Sequence, residues 1–314
     1  MMRAVVFAYH NVGDRCLRVL HARGVDVALV ITHRDRPDEN IWFRRVADTA
    51  TELGIPFVYG EDPADPAIEQ AVRDAQPDVI FSFYYRAMIP AGVLALAPAG
   101  AFNMHGSLLP KYRGRVPVNW AVLHGETETG ATLHVMEAKP DAGDIVGQTA
   151  VPILPDDTAG QVFDKVTVAA EQTLWRALPA MMAGQTPRSP NRLAEGSYYA
   201  GRRPEDGRID WNRPAAEVYN LIRAVAPPYP GAFTEINGQR FIVAQARRPL
   251  PGAAPLVPAG AATGLQVRDG DVVGLCGDGG LVLVTQLLAQ DGSAVTPQAL
   301  ARHLQPEQSN EGNR

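Results

Sequence analysis

The stretch RAVVFAYHNVGDRCLRVLHARGVDVALVITH, residues 3–33, decides the fold. Residues 3–9 form a compact apolar, β-rich run. Helical spacing then takes over at Cys16, Leu17 and Leu20, and it closes at Gly24. A second apolar run, VDVALVITH, follows. Two apolar strands flanking an amphipathic helix make the unit of a parallel sheet with right-handed crossovers. The alternation continues. FRRVADTATELG (43–54) reads as a helix closed by Gly54, IPFVYG (55–60) as a strand and PAIEQAVRDAQ (66–76) as a helix. PDVIFSFYY (77–85) is a nearly continuous buried strand, IPAGVLALAPAG (89–100) a helix and GAFNMH (100–105) another strand. The expected class is α/β, a doubly wound, mostly parallel, Rossmann-like sheet.

Further along, TGATLHVMEAKPDAGDIVGQTAVPI (129–153) reads as two strands joined at the Pro140–Gly143 turn. A long helix is expected over 158–184, with Thr158 at its N-cap and Gly184 near its end. The texture changes after about residue 200. One helix, AAEVYNLIRAVA (215–226), precedes an Asn-Gly hairpin signal in EINGQR (235–240) and short strands with Gly-Asp turns over 264–289. This part predicts a small OB-like β-barrel. The expected organisation is a catalytic α/β domain at 1–203, an OB-like domain at 204–305 and a polar tail at 306–314. The Pro/Ala/Gly-rich run 247–264 is expected as a surface loop within the second domain.

The chain has 314 residues, 46% of them hydrophobic and 20% charged, which supports packed cores. A net charge of −5 argues against a protein whose main work is gripping nucleic acid. Cys16 and Cys276 lie far apart and form no CxxC, so neither a disulfide framework nor a Cys-ligated zinc is expected. His21, His33, His124, His134 and His303 have no metal-like spacing, and no metal is assigned. The N-terminal apolar run is too short for a secretory signal, and no run reaches the ~18 apolar residues of a membrane span. The expectation is a cytoplasmic protein without membrane insertion.

Open α/β sheets bind ligands beyond the carboxyl ends of their strands. GAFNMH places Asn103 and His105 at such an end, two residues apart and therefore on the same side of an extended segment. An amide donor beside an imidazole suits an acyl-transfer intermediate: the amide stabilises the oxyanion and the imidazole moves a proton. Asp141, in the later turn, is the candidate to orient His105 and raise its pKa. The cationic loop at Arg113 and Arg115 is expected to face an anionic or polar substrate. Asn119 and Trp120, just past it, and Arg202 and Arg203 are candidate ligand contacts, the alternatives being a packed Trp and a solvated charge pair. His10, in the first strand-to-helix loop, either lines the same cleft or caps.

FNMHGSLLPKYRG (102–114) followed by GETETGATLHVMEAKPDAGDIV (125–146) resembles the catalytic core of the folate-dependent formyltransferases. The family's mark is an Asn, His and Asp triad, with Ser-Leu-Leu-Pro just after the His and Asp-x-Gly on a later loop. These fall here on Asn103, His105, Ser107–Pro110 and Asp141–Gly143. The resemblance implies 10-formyltetrahydrofolate as formyl donor, an amine as acceptor, and a folate site lined by Ala87, Met88, Ile89, Glu137, Ala138, Lys139, Pro140 and Asp141. VVFAYHNVG (5–13), PDVIFSFYYR (77–86) and IRAVAPPYPGAF (222–233) look most like the branch that formylates the 4-amino group of UDP-4-amino-4-deoxy-L-arabinose, in lipid A modification and polymyxin resistance. That resemblance implies sugar or base contacts for Asn119 and Trp120 and a diphosphate for Arg202 and Arg203. Members of that branch continue into a decarboxylase domain, whereas this chain stops after the barrel. The expectation is a stand-alone transferase working with a separate decarboxylase polypeptide, and a homo-oligomer is allowed. The runner-up, methionyl-tRNA formyltransferase, shares RIDW (208–211) and the barrel. It generally carries a longer, basic loop after the second strand, where this chain mixes acidic and basic residues in THRDRPDENIWFRRVA (32–47). Related enzymes formylate other nucleotide-linked aminosugars with the same triad. A non-catalytic binding module is the third alternative, and the intact Asn103, His105 and Asp141 argue against it.

Overall fold

The computed structural model describes residues 1–37, 39–249 and 260–305. Most of the Pro-rich run and the 306–314 tail lie outside the described residues. The chain folds into two compact units. The first comprises Met1–Ala121, Thr127–Ile153 and Gln161–Gly201; the second comprises Val122–Glu126, Leu154–Gly160 and the chain from Arg202 onward.

In the first unit, β1 (Arg3–Ala8), α1 (His10–Ala22) and β2 (Asp26–Thr32) form the expected crossover, with β1 and β2 parallel. α2 (Val46–Glu52), β3 (Phe57–Tyr59), α3 (Pro66–Ala75), β4 (Val79–Phe83), α4 (Ala91–Leu94) and β5 (Ala101–His105) follow. The two-residue β6 (Arg113–Gly114) and α5 (Pro117–Leu123) lead to the hairpin of β7 (Glu128–Val135) and β8 (Ile145–Pro152), then α6 (Ala159–Met182) and the two-residue β9 (Tyr198–Tyr199). The seven-stranded sheet runs β3-β2-β1-β4-β5-β7-β8. Its first five strands are parallel, while β7 is antiparallel to β5 and β8 to β7. This is the doubly wound, mostly parallel sheet expected. Every residue from Ala4 to Ala8 is buried, because helices cover both faces of a parallel sheet. On one face Val5, Phe7, Leu29, Ile31 and Ile80 pack with Ile68 and Val72 of α3.

Two helices are shorter than their periodicity predicts. α4 is one turn, because Pro98 disfavours helical backbone at the residue before it and Gly100 adopts a φ of +104°. α2 begins at Val46 rather than Phe43, since Phe43 is buried against Tyr9 and His10.

The second unit carries α7 (Ala215–Val225), β10 (Ala232–Ile236), β11 (Gln239–Arg247), β12 (Gly264–Arg268), β13 (Asp271–Leu275), β14 (Leu281–Ala289) and α8 (Pro297–Leu304). Its five-stranded antiparallel sheet is ordered β10-β11-β14-β13-β12, curling into the OB-like half-barrel. Asn237 and Gly238 both have positive φ, as a two-residue hairpin turn with right-handed strand twist requires. Trp211 is buried against Gly274 and donates its indole N–H to Thr234 Oγ1 at 3.1 Å. Among the described residues no helix is long and apolar enough to cross a membrane.

Candidate active site

β5 ends at His105, and the chain turns at once through Ser107–Pro110. That turn is tied to the neighbouring strands. Thr132 of β7 accepts the Leu109 N–H at 3.1 Å and donates its hydroxyl to the Ser107 carbonyl at 2.6 Å. Gln148 of β8 donates to the Leu109 carbonyl at 2.8 Å. Ser107 Oγ donates to the Lys111 carbonyl at 2.6 Å, which closes the turn on itself. The geometry after His105 is thus fixed from three sides.

The turn delivers β6, which lies parallel to β9. The N–H groups of Arg113 and Arg115 donate to the carbonyls of Ser197 and Tyr199 at 3.0 Å each. Alternation in an extended strand turns the Tyr112 carbonyl and the Gly114 N–H to the opposite edge. Both are used there. His105 Nε2 donates to the Tyr112 carbonyl at 2.8 Å, and the Gly114 N–H donates to Asp141 Oδ2 at 2.9 Å.

Asp141 has a φ of +50°, a left-handed conformation that Asp and Asn tolerate better than most residues. Asn191 holds the turn, donating to the carbonyls of Asp141 at 3.0 Å and Gly143 at 3.2 Å. The turn brings Asp141 Oδ1 to 3.5 Å from His105 Nδ1. The same oxygen lies 3.4 Å from Nε2 of His134. His134 is Asn103's register partner across β5 and β7, and its Nε2 lies 3.1 Å from Asn103 Nδ2. The structure therefore brings Asn103, His105 and Asp141 together and adds a fourth side chain, His134.

The electrostatics divide the roles. Burial alone would push the Asp141 carboxyl up. The charge of His105 and the Gly114 N–H oppose it, and Asp141 is held well below the usual carboxylate range. His105 is buried, and burial lowers its pKa; Asp141 and the Tyr112 carbonyl pull it upward, but only in part. Asp141 thus raises the His105 pKa as expected, and burial of the ring, which the sequence does not show, outweighs it. At neutral pH the pair is an ionised carboxylate facing a neutral imidazole. Because a carbonyl can only accept, the neutral His105 ring carries its proton on Nε2.

The remaining candidates are distributed as follows. Arg113 is 9% exposed, and its buried Nε has no hydrogen-bond partner among the described residues. Arg115 is exposed. Asn119 is buried on α5. Trp120 donates its indole N–H to the Ala200 carbonyl at 3.0 Å and stacks on Tyr199, so it is engaged in packing. Arg202 and Arg203 belong to the second unit. There, Arg202 Nη2 and the Arg203 N–H donate to Asp206. His10 is packed among Trp42, Phe43 and Phe163, and burial pushes it down to about 3.

Ala87, Met88 and Ile89 follow β4. Met88 is 60% exposed, while Ile89 is buried in the sheet's core cluster. The segment is anchored by His33, whose Nε2 accepts the Arg86 N–H at 3.1 Å while its Nδ1 donates to Glu61 at 3.0 Å. Glu137, Ala138 and Lys139 form the exposed approach to Pro140 and Asp141.

Sequence reasoning misses His134, Asn191 and the two backbone groups of β6. From the sequence, His134 comes into question only as a metal ligand. The available signal is its spacing: Thr132 and His134 alternate on one face of a strand that neighbours β5.

Residues 2–178 match the family described as formyl transferase, and residues 202–305 match the one described as formyl transferase, C-terminal domain. Among solved structures, an N-formyltransferase from Helicobacter canadensis in complex with folinic acid and dTDP-3-aminofucose aligns with a TM-score of 0.69 at 18% identity, covering 90% of this chain and 99% of that one. The sugar 3N-formyl transferase WlaRD, in the presence of dTDP and 5-N-formyl-THF, aligns with a TM-score of 0.67 at 18% identity, covering 90% and 97%. HypX from Aquifex aeolicus in complex with tetrahydrofolic acid aligns with a TM-score of 0.65 at 19% identity, covering 97% of this chain and 48% of that one. At these identities the alignments speak for a shared fold, and the family follows from the residues matched: this chain is a member of the formyl transferase family.

Proposed function

We propose that this protein transfers a formyl group from 10-formyltetrahydrofolate to the amino group of a nucleotide-linked sugar, and that its acceptor is UDP-4-amino-4-deoxy-L-arabinose. The observation that carries the reaction type is the arrangement of Asp141, ionised and held by Gly114, against a buried neutral His105 on the same sheet face as Asn103. The sugar branch is supported by the sequence resemblance of residues 5–13, 77–86 and 222–233. It is also supported by the H. canadensis and WlaRD structures, whose partners are a folate and dTDP or a dTDP-aminosugar.

The folate supplies an activated formyl group, and the residues present suit it. Met88 offers an exposed apolar side chain beside a loop anchored by His33, and Glu137–Pro140 lead directly into Asp141. Asn103 donates to the formyl oxygen as negative charge develops there. At rest Nε2 of His105 carries the ring proton on the Tyr112 carbonyl; once the attacking amine takes Nε2 from that carbonyl, the ring proton sits on Nδ1, where Asp141 accepts it, and Nε2 presents its lone pair to the amine. His105 takes the proton released by the attacking amine and returns it to the departing folate nitrogen, so no net proton is gained or lost. Asp141 stabilises the imidazolium between those two transfers. Arg113, buried with Nε unpartnered, and the exposed Arg115 supply positive charge for the diphosphate.

Calorimetric titration of the protein saturated with 5-formyltetrahydrofolate tests the acceptor class. Tighter binding of UDP than of dTDP or tRNA supports the arabinose reading. Preference for dTDP moves the acceptor to a dTDP-linked aminosugar, and preference for tRNA overturns the sugar branch.

A further inference from the structure

His134 is 2% exposed, and both its ring nitrogens are committed. Nδ1 lies 2.8 Å from the carbonyl of Val135. A carbonyl only accepts, so Nδ1 carries a proton, and in the tautomer with that single proton Nε2 presents a lone pair. The atom 3.1 Å away is Asn103 Nδ2, which only donates. The bond is therefore Asn103 N–H to His134 Nε2, made between register partners on adjacent antiparallel strands.

This bond fixes something Asn103 cannot fix alone. A carboxamide has a donor end and an acceptor end of nearly equal size, and an oxyanion is stabilised only by the donor end. Turned over, Asn103 would set Oδ1 against the His134 lone pair and present an acceptor to developing negative charge. With Nδ2 toward His134, one amide hydrogen is bound there and the second stays free for the formyl oxygen. Among the described residues Asp141, with Oδ1 3.4 Å from Nε2, is the acidic group at that edge of the ring, and the His105 ring lies 6.5 Å away.

We propose that His134 is a positioning residue whose Nδ1-protonated tautomer holds the Asn103 amide with its N–H groups toward the formyl oxygen. The inference rests on the reading of this site as a formyltransferase site, and its test separates the two. Two-bond 1H–15N correlation spectra of the substrate-free protein at neutral pH read the tautomer directly: a protonated Nδ1 and bare Nε2 are expected, and a protonated Nε2 overturns the proposal. In formyl transfer, His134→Leu is expected to lower kcat at least about tenfold, less than or comparable to loss of an oxyanion donor. Both KM values are expected to stay within about twofold. His134→Gln, which places an amide oxygen near the position of Nε2, is expected to recover most of the rate. In an Asn103→Ala background His134→Leu is expected to cost nothing further; an equal cost in both backgrounds overturns the proposal. Should His134→Leu fail to fold, the tautomer and the Gln variant decide. If the wild-type protein formylates no aminosugar, the functional reading fails, while the tautomer measurement still judges the role of His134.

Discussion

Gly114 holds Asp141 through a backbone N–H that donates to Oδ2 at 2.9 Å. Two residues earlier, on the same strand edge, the Tyr112 carbonyl holds His105. One short strand thus positions both members of the acid–base pair, and β9 positions that strand. Gly114 has a φ of +96°, and a Cβ there would lie 2.1 Å from the Tyr199 carbonyl oxygen. Gly114→Ala is expected to push β6 off β9, destabilise the fold by about 1–3 kcal/mol and lower kcat. Urea melts and steady-state kinetics on the same preparation check this. An unchanged kcat would show that β6 does not set the pair.

The neutral His105 needed for proton uptake should persist below the ordinary histidine value of about 6.5, because burial lowers its pKa. The acid limb of kcat/KM is accordingly expected below that pH. Asp141 raises the His105 pKa, so Asp141→Asn is expected to move the limb further down while reducing kcat by roughly 100-fold or more. A pH–rate profile of both proteins reads the two effects separately. A limb that moves up in the variant contradicts the assigned charges.

Arg113 is a buried cation whose Nε finds no partner among the described residues, an arrangement that is costly without an anion. Arg113→Met is expected to raise the substrate-free stability by about 1 kcal/mol or more and to raise KM for the nucleotide sugar at least about tenfold. KM for the folate should stay close to wild type. Thermal melts with and without UDP, together with both KM values, test the pattern. Loss of stability in the variant would mean that the guanidinium is held by the fold rather than awaiting a substrate.

Stability should fall with acid in two overlapping windows, an upper one set by histidines and a lower one set by Asp141. His10 and His105 have lowered pKa values, so the unfolded chain takes up their protons first. Their contribution is complete above about pH 6.5 and is lost as pH falls from there, for His10 down to about 3. Asp141 is depressed, so its contribution is present above the unfolded carboxyl value of about 3.9 and is lost only below it. His10→Asn, which suits the φ of +66° at that position, is expected to flatten the upper window and leave the lower one. Urea midpoints across pH 7.5 to about 2 check it.

The parallel sheet was legible because buried strands and amphipathic helices alternate from Arg3 onward with turn residues between them. Asn103, His105 and Asp141 were legible because a strand end and an Asp-Ala-Gly turn are local signals. His134 and Asn191 were not, since their roles arise from register and from a bond across 50 residues of sequence. The direction of the His105 shift was equally hidden, because it depends on how deeply packing buries the ring. For Trp120 the sequence left a ligand contact and a packed ring open, because the partners of its indole, the Ala200 carbonyl and the Tyr199 ring, lie about 80 residues away.

The central claim is tested most directly by incubating the protein with 10-formyltetrahydrofolate carrying a labelled formyl group and UDP-4-amino-4-deoxy-L-arabinose, then locating the label. The account predicts label on the sugar's 4-amino nitrogen with the wild-type protein and none above background with His105→Ala. Label that stays on the folate, or transfer that survives the loss of His105, would contradict it.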